Sequence, residues 1–429
     1  MTTLMIGLML ALFAVSVPVA IAIAIAAMAG LEFYTRFPLL VMAQQLYVTL
    51  DRFPLAAIPF FILAGNLMDT GGISKRLVAF ARAVIGGVQG GLAVSCVLTC
   101  MIFAAISGSS VATTFAIGAI LIPALVRLGY PVPFAASLQA TSAELGVIIP
   151  PSIPMILYGV ATQTSIPELF IAGFGPGILI GVSLMITVLI WCRIKGYGKR
   201  DGEGRDTISV ATRKAALALL MPVIILGGIY GGVFTPTEAS VVAVVYAIVV
   251  GMFVYRELKI SDLMPIFKKS VISSTVIMLI IGMAGLFSYL LNRQGVPDAM
   301  AEWMTSIISS PAMFLLAVNL FLFVVGMFVE TSASIIVLAP ILAPVAARYG
   351  IDPVHFGTVM VVNLALGMIT PPFGVNLFAA CAVAKTSLDR IILPLIPFIL
   401  VVLSCLMVIT YVPEISLFLR DLAFPASAR

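Results

Sequence analysis

The sequence predicts an all-α protein that crosses a membrane many times. Of its 429 residues, 62% are hydrophobic and 10% are charged, whereas soluble domains carry about 25% charged residues. The mean hydropathy is +1.21. Apolar runs of about 20 residues, the length that a helix needs to cross the hydrocarbon core, recur along the whole chain. We therefore expect roughly ten to twelve spanning or half-spanning helices in a lipid bilayer.

Basic residues give the chain a formal net charge of +5. They lie in short loops between apolar runs, so the positive-inside rule explains them and no nucleic-acid partner is expected. The most polar segment, 193–214, is predicted to be a cytoplasmic linker that separates a first half, 1–192, from a second half, 215–429. The first apolar run, 4–30, lacks a basic n-region and is too long for a signal h-region, so we interpret it as one span.

The apolar runs of the first half are 37–50, 54–68, 91–103, 117–126, 134–143, 153–160 and 170–191. Those of the second half are 217–234, 239–254, 271–291, 307–329, 335–345 and 391–411. Each half is interrupted twice inside its apolar sequence. A small, polar cluster stands at 107–114 in the first half and at 330–334 in the second, and a Gly-x-x-x-Pro-Pro sequence lies within 144–152 and again within 365–373.

The Pro-Pro sequences are the strongest local signal in the chain. A proline has no N–H to donate and clashes with the preceding turn, so an α-helix cannot continue undisturbed through two of them. At membrane depth such a break is tolerated only where it is buried in protein or lines a polar cavity. Broken helices in corresponding places of two halves indicate the binding site of a transporter.

An internal repeat relates the two halves. When residue numbers are shifted by 221, Ser110 falls on Thr331, Gly146 on Gly367, and the Pro-Pro pair on its counterpart, without a gap. Each repeat then contains an apolar segment that turns at a polar cluster and returns, which is typical of a re-entrant hairpin. The hairpin tips are predicted at 107–114 and 330–334. Inverted repeats would bring the tips together from opposite faces of the membrane, but a parallel duplication would give the same sequence pattern.

Hydroxyl groups and freed carbonyl groups near the tips and breaks are candidate ligands for Na⁺, because they supply oxygen atoms at a small desolvation cost. The alternative is that serine and threonine hydroxyls bond to the preceding turn of their own helix. The cation-binding candidates are Ser107, Ser110, Gly146 and Ile149 in the first repeat, and Gly326, Thr331, Gly367 and Thr370 in the second.

Other polar residues near the same segments are candidates for contact with a solute. Glu144 and Glu330 are carboxylates within apolar surroundings, where a charge is costly and indicates function. Each could carry a proton, assist a cation, pair with an arginine or lie at a water-filled mouth, and repeat symmetry gives neither an acidic counterpart. The residues expected in the vicinity of the solute are Ser109, Ser152, Glu330, Ser332, Asn363 and Asn376, although the two asparagines could instead join helices.

A transition-metal site or an enzyme active site is not expected. The five cysteines are interpreted as packing residues, because only Cys96 and Cys100 have helical spacing and no histidine or carboxylate lies near them. His355, the single histidine, stands close to Asp352 and Pro353 and is expected in a loop. No Gly-x-x-x-x-Gly-Lys-Ser/Thr loop for nucleotide phosphates is present in the sequence.

Five segments resemble the large membrane subunit of TRAP transporters (tripartite ATP-independent periplasmic transporters), the DctM family, and the resemblance extends over essentially the whole chain. They are Ala-Gly-Asn-Leu-Met at 64–68, Ser-Gly-Ser-Ser at 107–110, Gly-Val-Ile-Ile-Pro-Pro-Ser at 146–152, Gly-Met-Phe-Val-Glu-Thr at 326–331 and Pro-Ile-Leu-Ala-Pro at 340–344.

This resemblance implies inverted repeats, two re-entrant hairpins and an elevator-type transport domain on a scaffold, in the cytoplasmic (inner) membrane of a bacterium or archaeon. It implies import of an organic anion driven by a Na⁺ gradient, with Na⁺ as the coupling ion and no cofactor. A periplasmic solute-binding protein would deliver the solute, which could be a C4-dicarboxylate, sialic acid or another sugar or keto acid. A separate small four-helix membrane subunit would complete the scaffold. Carried onto this sequence, the Na⁺ sites fall at Ser107, Gly146 and Ile149, and at Gly326, Gly367 and Thr370.

Two other functions compete with this interpretation. A stand-alone ion-coupled anion carrier of the same superfamily would work without a binding protein. An ion channel would not show saturable uptake coupled to an ion gradient.

Overall fold

The computed structural model describes residues 1–35, 37–38, 40–199 and 206–424, and their regular structure is entirely helical. The helices of the first half are α1 (Thr2–Ala14), α2 (Val19–Tyr34), α3 (Leu40–Leu50), α4 (Ala57–Thr70), α5 (Ile73–Ile85), α6 (Gly91–Ser107), α7 (Ser110–Arg127), α8 (Val132–Ala143), α9 (Leu145–Ile148), α10 (Ile153–Thr162) and α11 (Ile166–Lys195). Those of the second half are α12 (Ile208–Tyr230), α13 (Pro236–Val249), α14 (Ile260–Arg293), α15 (Val296–Ile307), α16 (Pro311–Phe328), α17 (Thr331–Arg348), α18 (Pro353–Met368), α19 (Val375–Ala384), α20 (Leu388–Tyr411) and α21 (Glu414–Ala423).

A 3₁₀ turn, Phe53–Ala56, leads into α4, and a π-helical turn, Val250–Val254, extends α13. Within the described ranges, 10 helical segments are long and apolar enough to cross a membrane. The predicted polytopic all-α class is therefore confirmed.

The prediction of one span over 4–30 is wrong. Pro18 and the left-handed Ser16 (φ 62°) end α1 and start α2, so the segment consists of helices of 13 and 16 residues. A Cβ built on Gly30 would lie 2.5 Å from Met5 Sδ, so the end of α2 lies against the start of α1. The two helices are antiparallel, and each is shorter than the roughly 20 residues of an untilted span.

The polar linker is shorter than its sequence suggested. Helix α11 continues to Lys195 and α12 begins at Ile208, so only residues 196–207 connect them. Two of its basic residues, Arg200 and Arg205, lie outside the described residues. The Gln89 amide, just before α6, donates hydrogen bonds to the carbonyl oxygens of Cys192 (3.2 Å) and Tyr197 (3.1 Å). The start of the first hairpin and the end of α11 therefore lie on the same side as the linker.

Helix boundaries follow the 221-residue shift. Shifted by 221, α7 coincides with α17, and the bounds of α6, α8–α9 and α10 fall within one residue of α16, α18 and α19. Helices α11 and α20 also begin within one residue of each other but end differently, at Lys195 and Tyr411. Both Pro-Pro bonds, at 150–151 and 371–372, are cis.

The polar turns are narrower than predicted. Helix α7 already begins at Ser110 and α17 at Thr331, so most of 107–114 and 330–334 forms the first turn of the returning helix. The reason is that Ser109 and Glu330 are N-cap residues, whose side chains accept hydrogen bonds from N–H groups of that turn. We define hairpin tip 1 as residues 107–110 and hairpin tip 2 as 328–331.

Each repeat contains one broken helix. We define break 1 as residues 149–152, between α9 and α10, and break 2 as 369–374, between α18 and α19.

The second broken helix begins at a capped turn. Asp352 is the N-cap of α18 and accepts from the N–H of Val354 (2.8 Å) and His355 (3.3 Å). The expectation that His355 lies in a loop is wrong, because this cap places it in the first turn of α18, where its side chain is buried.

Candidate functional site

Each Pro-Pro pair removes the usual helical donor of one carbonyl group. The C=O of Gly146 would normally accept from residue 150, and that of Gly367 from residue 371, but both positions are proline and have no N–H. The Gly367 carbonyl instead accepts from Thr370 N–H (2.9 Å). The next carbonyl is treated differently in the two repeats. Ser152 Oγ donates to Val147 O at 2.6 Å, whereas the residue that corresponds to Ser152 in the second repeat, Phe373, has no hydroxyl group. Polar backbone is therefore concentrated at both breaks.

Hairpin tip 1 packs directly against break 1. A Cβ built on Gly146 would lie 2.9 Å from Ser109 O and 2.7 Å from Thr113 Oγ1, so only glycine allows this approach. Gly108, at φ 66°, accepts a hydrogen bond from Ile153 N–H (3.3 Å). Ser107 Oγ is 3.5 Å from Ser109 O, and the Ser107 and Ser110 side chains are buried.

Ile149 also belongs to this cluster, as the first residue of break 1, and its side chain packs against Gly177 of α11. Ser152 caps α10 by accepting from Met155 N–H (3.3 Å). Six of the candidates from the first repeat are thus brought together: Ser107, Ser109, Ser110, Gly146, Ile149 and Ser152.

Hairpin tip 2 contacts break 2 in a similar way. A Cβ on Gly367 would lie 2.4 Å from Gly326 Cα, so the backbones of α16 and α18 touch at these glycines. Gly374 N–H donates to Met327 O (3.3 Å), and Thr331 Oγ1 lies 2.9 Å from Met368 Sδ. Thr370 Oγ1 bonds to Leu366 O (2.8 Å), the back-bonding alternative that the sequence left open.

Glu330 accepts three local hydrogen bonds that the sequence did not predict. Its carboxylate accepts from Ser332 N–H (2.8 Å), Ala333 N–H (3.1 Å) and Ser332 Oγ (2.9 Å), at the N-terminus of α17. All three partners are donors, the arrangement that an ionised carboxylate requires. A negative charge at this end of a helix is also stabilised by the helix dipole. Glu330 and Ser332 therefore form one cap at hairpin tip 2.

Glu144 and Asn376 join the two repeats. The Asn376 amide donates to Glu144 Oε1 (2.5 Å) and its oxygen accepts from Thr114 Oγ1 (2.9 Å). All three side chains are buried, and Glu144 Oε2 has no hydrogen-bond partner among the described residues. A residue of α19 thus contacts both hairpin 1 and the residue before α9.

Asn363 belongs to a different cluster. Its amide donates to Asn319 Oδ1 (2.6 Å) and O (3.0 Å), and Asn319 in turn donates to Thr410 Oγ1 (3.0 Å). His355 Nε2 lies 3.2 Å from Thr410 O. This buried chain connects α16, α18 and α20, so Asn363 joins helices. Asn319 and Thr410 were not predicted, and their only signal was a polar side chain within an apolar run.

Two adjoining cavities extend along the helices that start at the site. The larger, about 600 Å³, is lined by the ends of α10, α14 and α17 and by Asp352 and Arg420. The second, about 230 Å³, is lined by Arg52, by Leu157 of α10 and by Ile336 of α17. Both include Ser288 and Asn292 of α14. Leu157 stands five residues after the cap Ser152, and Ile336 stands six residues after the cap Glu330. These separations correspond to helical rises of about 7.5 and about 9 Å.

The repeated hairpins, the paired broken helices and the buried polar groups between them define a membrane transport protein of the broken-helix class. A family model described as "Tripartite ATP-independent periplasmic transporter, DctM component" matches residues 6–415. The chain therefore belongs to the DctM family of TRAP transporters and is a multi-pass membrane permease component.

Relatives agree with this family. The chain is 45% identical over 380 residues to the C4-dicarboxylate TRAP transporter large permease protein DctM of Pseudomonas aeruginosa, covering 89% of each chain. It is 41% identical over 397 residues to the isethionate TRAP transporter permease protein DctMQ of Oleidesulfovibrio alaskensis, covering 92% of this chain and 62% of that protein. The crystal structure of the YdaH transporter of Alcanivorax borkumensis superposes with a TM-score of 0.61 at 15% identity, over 87% of this chain and 88% of that one. This last similarity concerns the fold alone.

Proposed function

We propose that this chain imports an organic anion together with Na⁺ by an elevator motion of the two hairpins and broken helices. A periplasmic binding protein delivers the solute, and a separate small membrane subunit completes the scaffold. The membrane is the cytoplasmic membrane of a bacterium or archaeon, and Na⁺ is cargo rather than a resident cofactor.

One observation carries the proposal: just before its break, each broken helix packs against the hairpin of its own repeat at a glycine. Gly146 lies against Ser109 of hairpin tip 1 and Gly367 lies against Gly326 of α16. Hydroxyl groups of Ser107, Ser110 and Thr331 stand near these contacts. Carbonyl and hydroxyl oxygens suit a hard monovalent cation, and unwound backbone is where transporters of this class hold Na⁺.

The charges near the tips support the need for cations. Glu330 is held by donors only, as a negatively charged carboxylate would be, and an organic anion would bring further negative charge to the same region. Cations at the two tips would offset this repulsion, which couples the binding of Na⁺ to the binding of the solute.

Contacts between the repeats support inversion. Tyr158, near the end of α10, donates to Pro353 O at the start of α18 (2.9 Å). Ser137, early in α8, donates to Ile391 O near the start of α20 (3.0 Å). Helix α20 thus starts on the side where α8 starts. Its counterpart α11 starts on the other side of the membrane, because α8–α10 cross the membrane between the start of α8 and the start of α11.

Orientation follows from the basic loops. The loop before α14 carries Arg256 and Lys259 and is expected in the cytoplasm, so the end of α14 lies on the periplasmic side. The two cavities at Ser288 and Asn292 then open towards the periplasm. Arg52 lines this route and makes no ion pair with the described residues, so it can attract an anion.

Energetics favour at least two Na⁺ ions per solute. One Na⁺ that moves down a tenfold gradient and 100 mV releases about 1.4 plus about 2.3 kcal/mol. Two release roughly 7 kcal/mol, and import of a monoanion against the same potential costs about 2.3 kcal/mol. The difference, about 5 kcal/mol, supports more than a thousandfold accumulation.

The relatives bear on partners and solute. The matched family is described as one component of a tripartite transporter, which supports further subunits as partners. Relatives named for C4-dicarboxylates and for isethionate show that the family carries different organic anions.

Uptake into proteoliposomes that contain this chain and its small subunit tests the proposal. The binding protein and an inward Na⁺ gradient are each added or omitted, at constant pH and membrane potential. We expect uptake only when both are present. Uptake with the gradient alone would identify a stand-alone carrier, and uptake that does not depend on Na⁺ would refute the coupling.

A further inference from the structure

The two repeats differ at three positions that should match. Under the 221-residue shift, Ser107 corresponds to Phe328, Ser109 to Glu330, and Ser152 to Phe373. Two hydroxyl groups of the first repeat are thus replaced by aromatic rings in the second, and one by a carboxylate. All three lie at the tip or the break, so the asymmetry is concentrated where the solute is proposed to bind.

The two rings are in contact with each other. The centroids of Phe328 and Phe373 are 5.6 Å apart with an interplanar angle of 52°, within the range of favourable aromatic pairs. Gly374 N–H donates to Met327 O (3.3 Å) beside them, which joins hairpin tip 2 to break 2. One backbone hydrogen bond therefore holds together the two segments that carry the rings.

Both rings remain open on their other side. Phe328 is 55% exposed and Phe373 is 54% exposed, whereas their counterparts Ser107 and Ser152 are buried. Both rings lie beside the polar backbone of hairpin tip 2 and break 2, and solute sites combine apolar walls with a few placed polar groups. The second repeat thus offers an apolar wall where the first offers hydroxyl groups.

Glu330 adds a negative charge to the same tip. Its cap on Ser332 and Ala333 already occupies the N–H donors at the start of α17. A second carboxylate of a solute would find these two donors taken and would be repelled by Glu330. An anionic group is therefore disfavoured beside the second repeat.

We propose that Phe328 and Phe373 form an apolar subsite that receives the uncharged end of the solute. The preferred solute is an organic monoanion with an aromatic or branched aliphatic group, rather than a C4-dicarboxylate with a charge at each end. This inference rests on the proposed function and deepens it by naming the class of solute.

Direct binding to the purified permease with its small subunit tests the subsite without selection by the binding protein. Phenylacetate and succinate serve as probes, with and without Na⁺, and calorimetry reports affinity. We expect wild type to bind phenylacetate at least tenfold more tightly than succinate. Phe373→Ser and Phe328→Ser restore the residue type of the first repeat. Each should lower the affinity for phenylacetate at least tenfold and change the affinity for succinate less than threefold.

Phe321→Ser is the matched control, because Phe321 is an exposed ring of α16 away from the tip, and it should leave both affinities unchanged. Phe373→Leu should retain most of the phenylacetate affinity. Tighter binding of succinate by wild type, or equal loss in the control, would overturn the subsite. Binding of neither probe with no Na⁺-dependent uptake of any anion would instead count against the proposed function.

Thiol labelling supplies a second readout. The native cysteines of the described residues are all buried, so Phe373→Cys introduces the accessible thiol. We expect a membrane-impermeant maleimide to react with it and phenylacetate to protect it. Reaction with a lipophilic reagent alone would show that the ring faces lipid, which would refute the subsite.

Discussion

The contact between Gly367 and Gly326 gives the sharpest test of the site. An alanine at position 367 would place its Cβ 2.4 Å from Gly326 Cα and C. Ordinary van der Waals contact begins at 3.4 Å, so the backbones of α16 and α18 must separate by about 1 Å. Both neighbouring atoms belong to the backbone, and no side chain can rotate away to relieve the clash.

The magnitude follows from the cost of overpacking. Extra methyl groups in a well-packed interior cost about 1–3 kcal/mol, which corresponds to about 5–150-fold in an equilibrium constant. If the strain is relieved by displacing the Gly367 carbonyl, which bonds to Thr370 N–H, the Na⁺ concentration that gives half-maximal uptake should rise by that factor. The affinity for the solute should fall only when Na⁺ is limiting.

The assay compares Gly367→Ala with Gly227→Ala. Gly227 also lies in a helix, α12, but a Cβ there would meet nothing within 4 Å, so this control should match wild type. Na⁺ activation of uptake and the melting temperature of the purified protein are both measured. Wild-type Na⁺ activation in a folded Gly367→Ala protein would refute the assignment of this contact to a cation site.

Three further predictions concern polar groups away from the glycines. Partial burial opposes ionisation of Asp352, but the hydrogen bond and charge of Arg420 outweigh it and lower its pKa. The pair therefore stabilises the fold above the unfolded pKa of about 3.9, and wild type should lose melting temperature as the pH falls below it. Asp352→Asn should melt several degrees lower at pH 7 and show less of this acid dependence. Arg52→Gln should raise the KM for solute several-fold at low ionic strength with kcat unchanged, an effect that salt reduces; an effect independent of salt would contradict steering. Asn376→Ala leaves Glu144 without its donor and should destabilise by about 2–4 kcal/mol, and adding Glu144→Leu should recover part of this in a thermal melt.

The order of helices was predictable because it depends on local chemistry. Apolar runs mark the spans, and prolines without N–H groups mark breaks 1 and 2, so the similar arrangement of the halves could be read from residues alone. Pro18 also indicated that residues 4–30 form two helices. The uniform hydrophobicity of the segment led to the prediction of one span, because both helices are apolar. Glu330 stays a predicted neighbour of the solute, and only the register of α17 shows that its carboxylate is also a helix cap.

The contacts between distant segments were decided by the tertiary structure. Nothing in the sequence pairs Asn376 with Glu144, or Asn363 with Asn319, because a buried amide can be satisfied by any polar group that the neighbouring helix presents. The identity of that partner depends on the angle at which the two helices cross and on which of their turns are in contact. The sequence by itself therefore determined where helices run and where they break, since backbone hydrogen bonding is satisfied within a few residues. Only the tertiary structure decided which polar groups meet, since side-chain partners in a membrane protein are set by helix faces that are hundreds of residues apart in the chain.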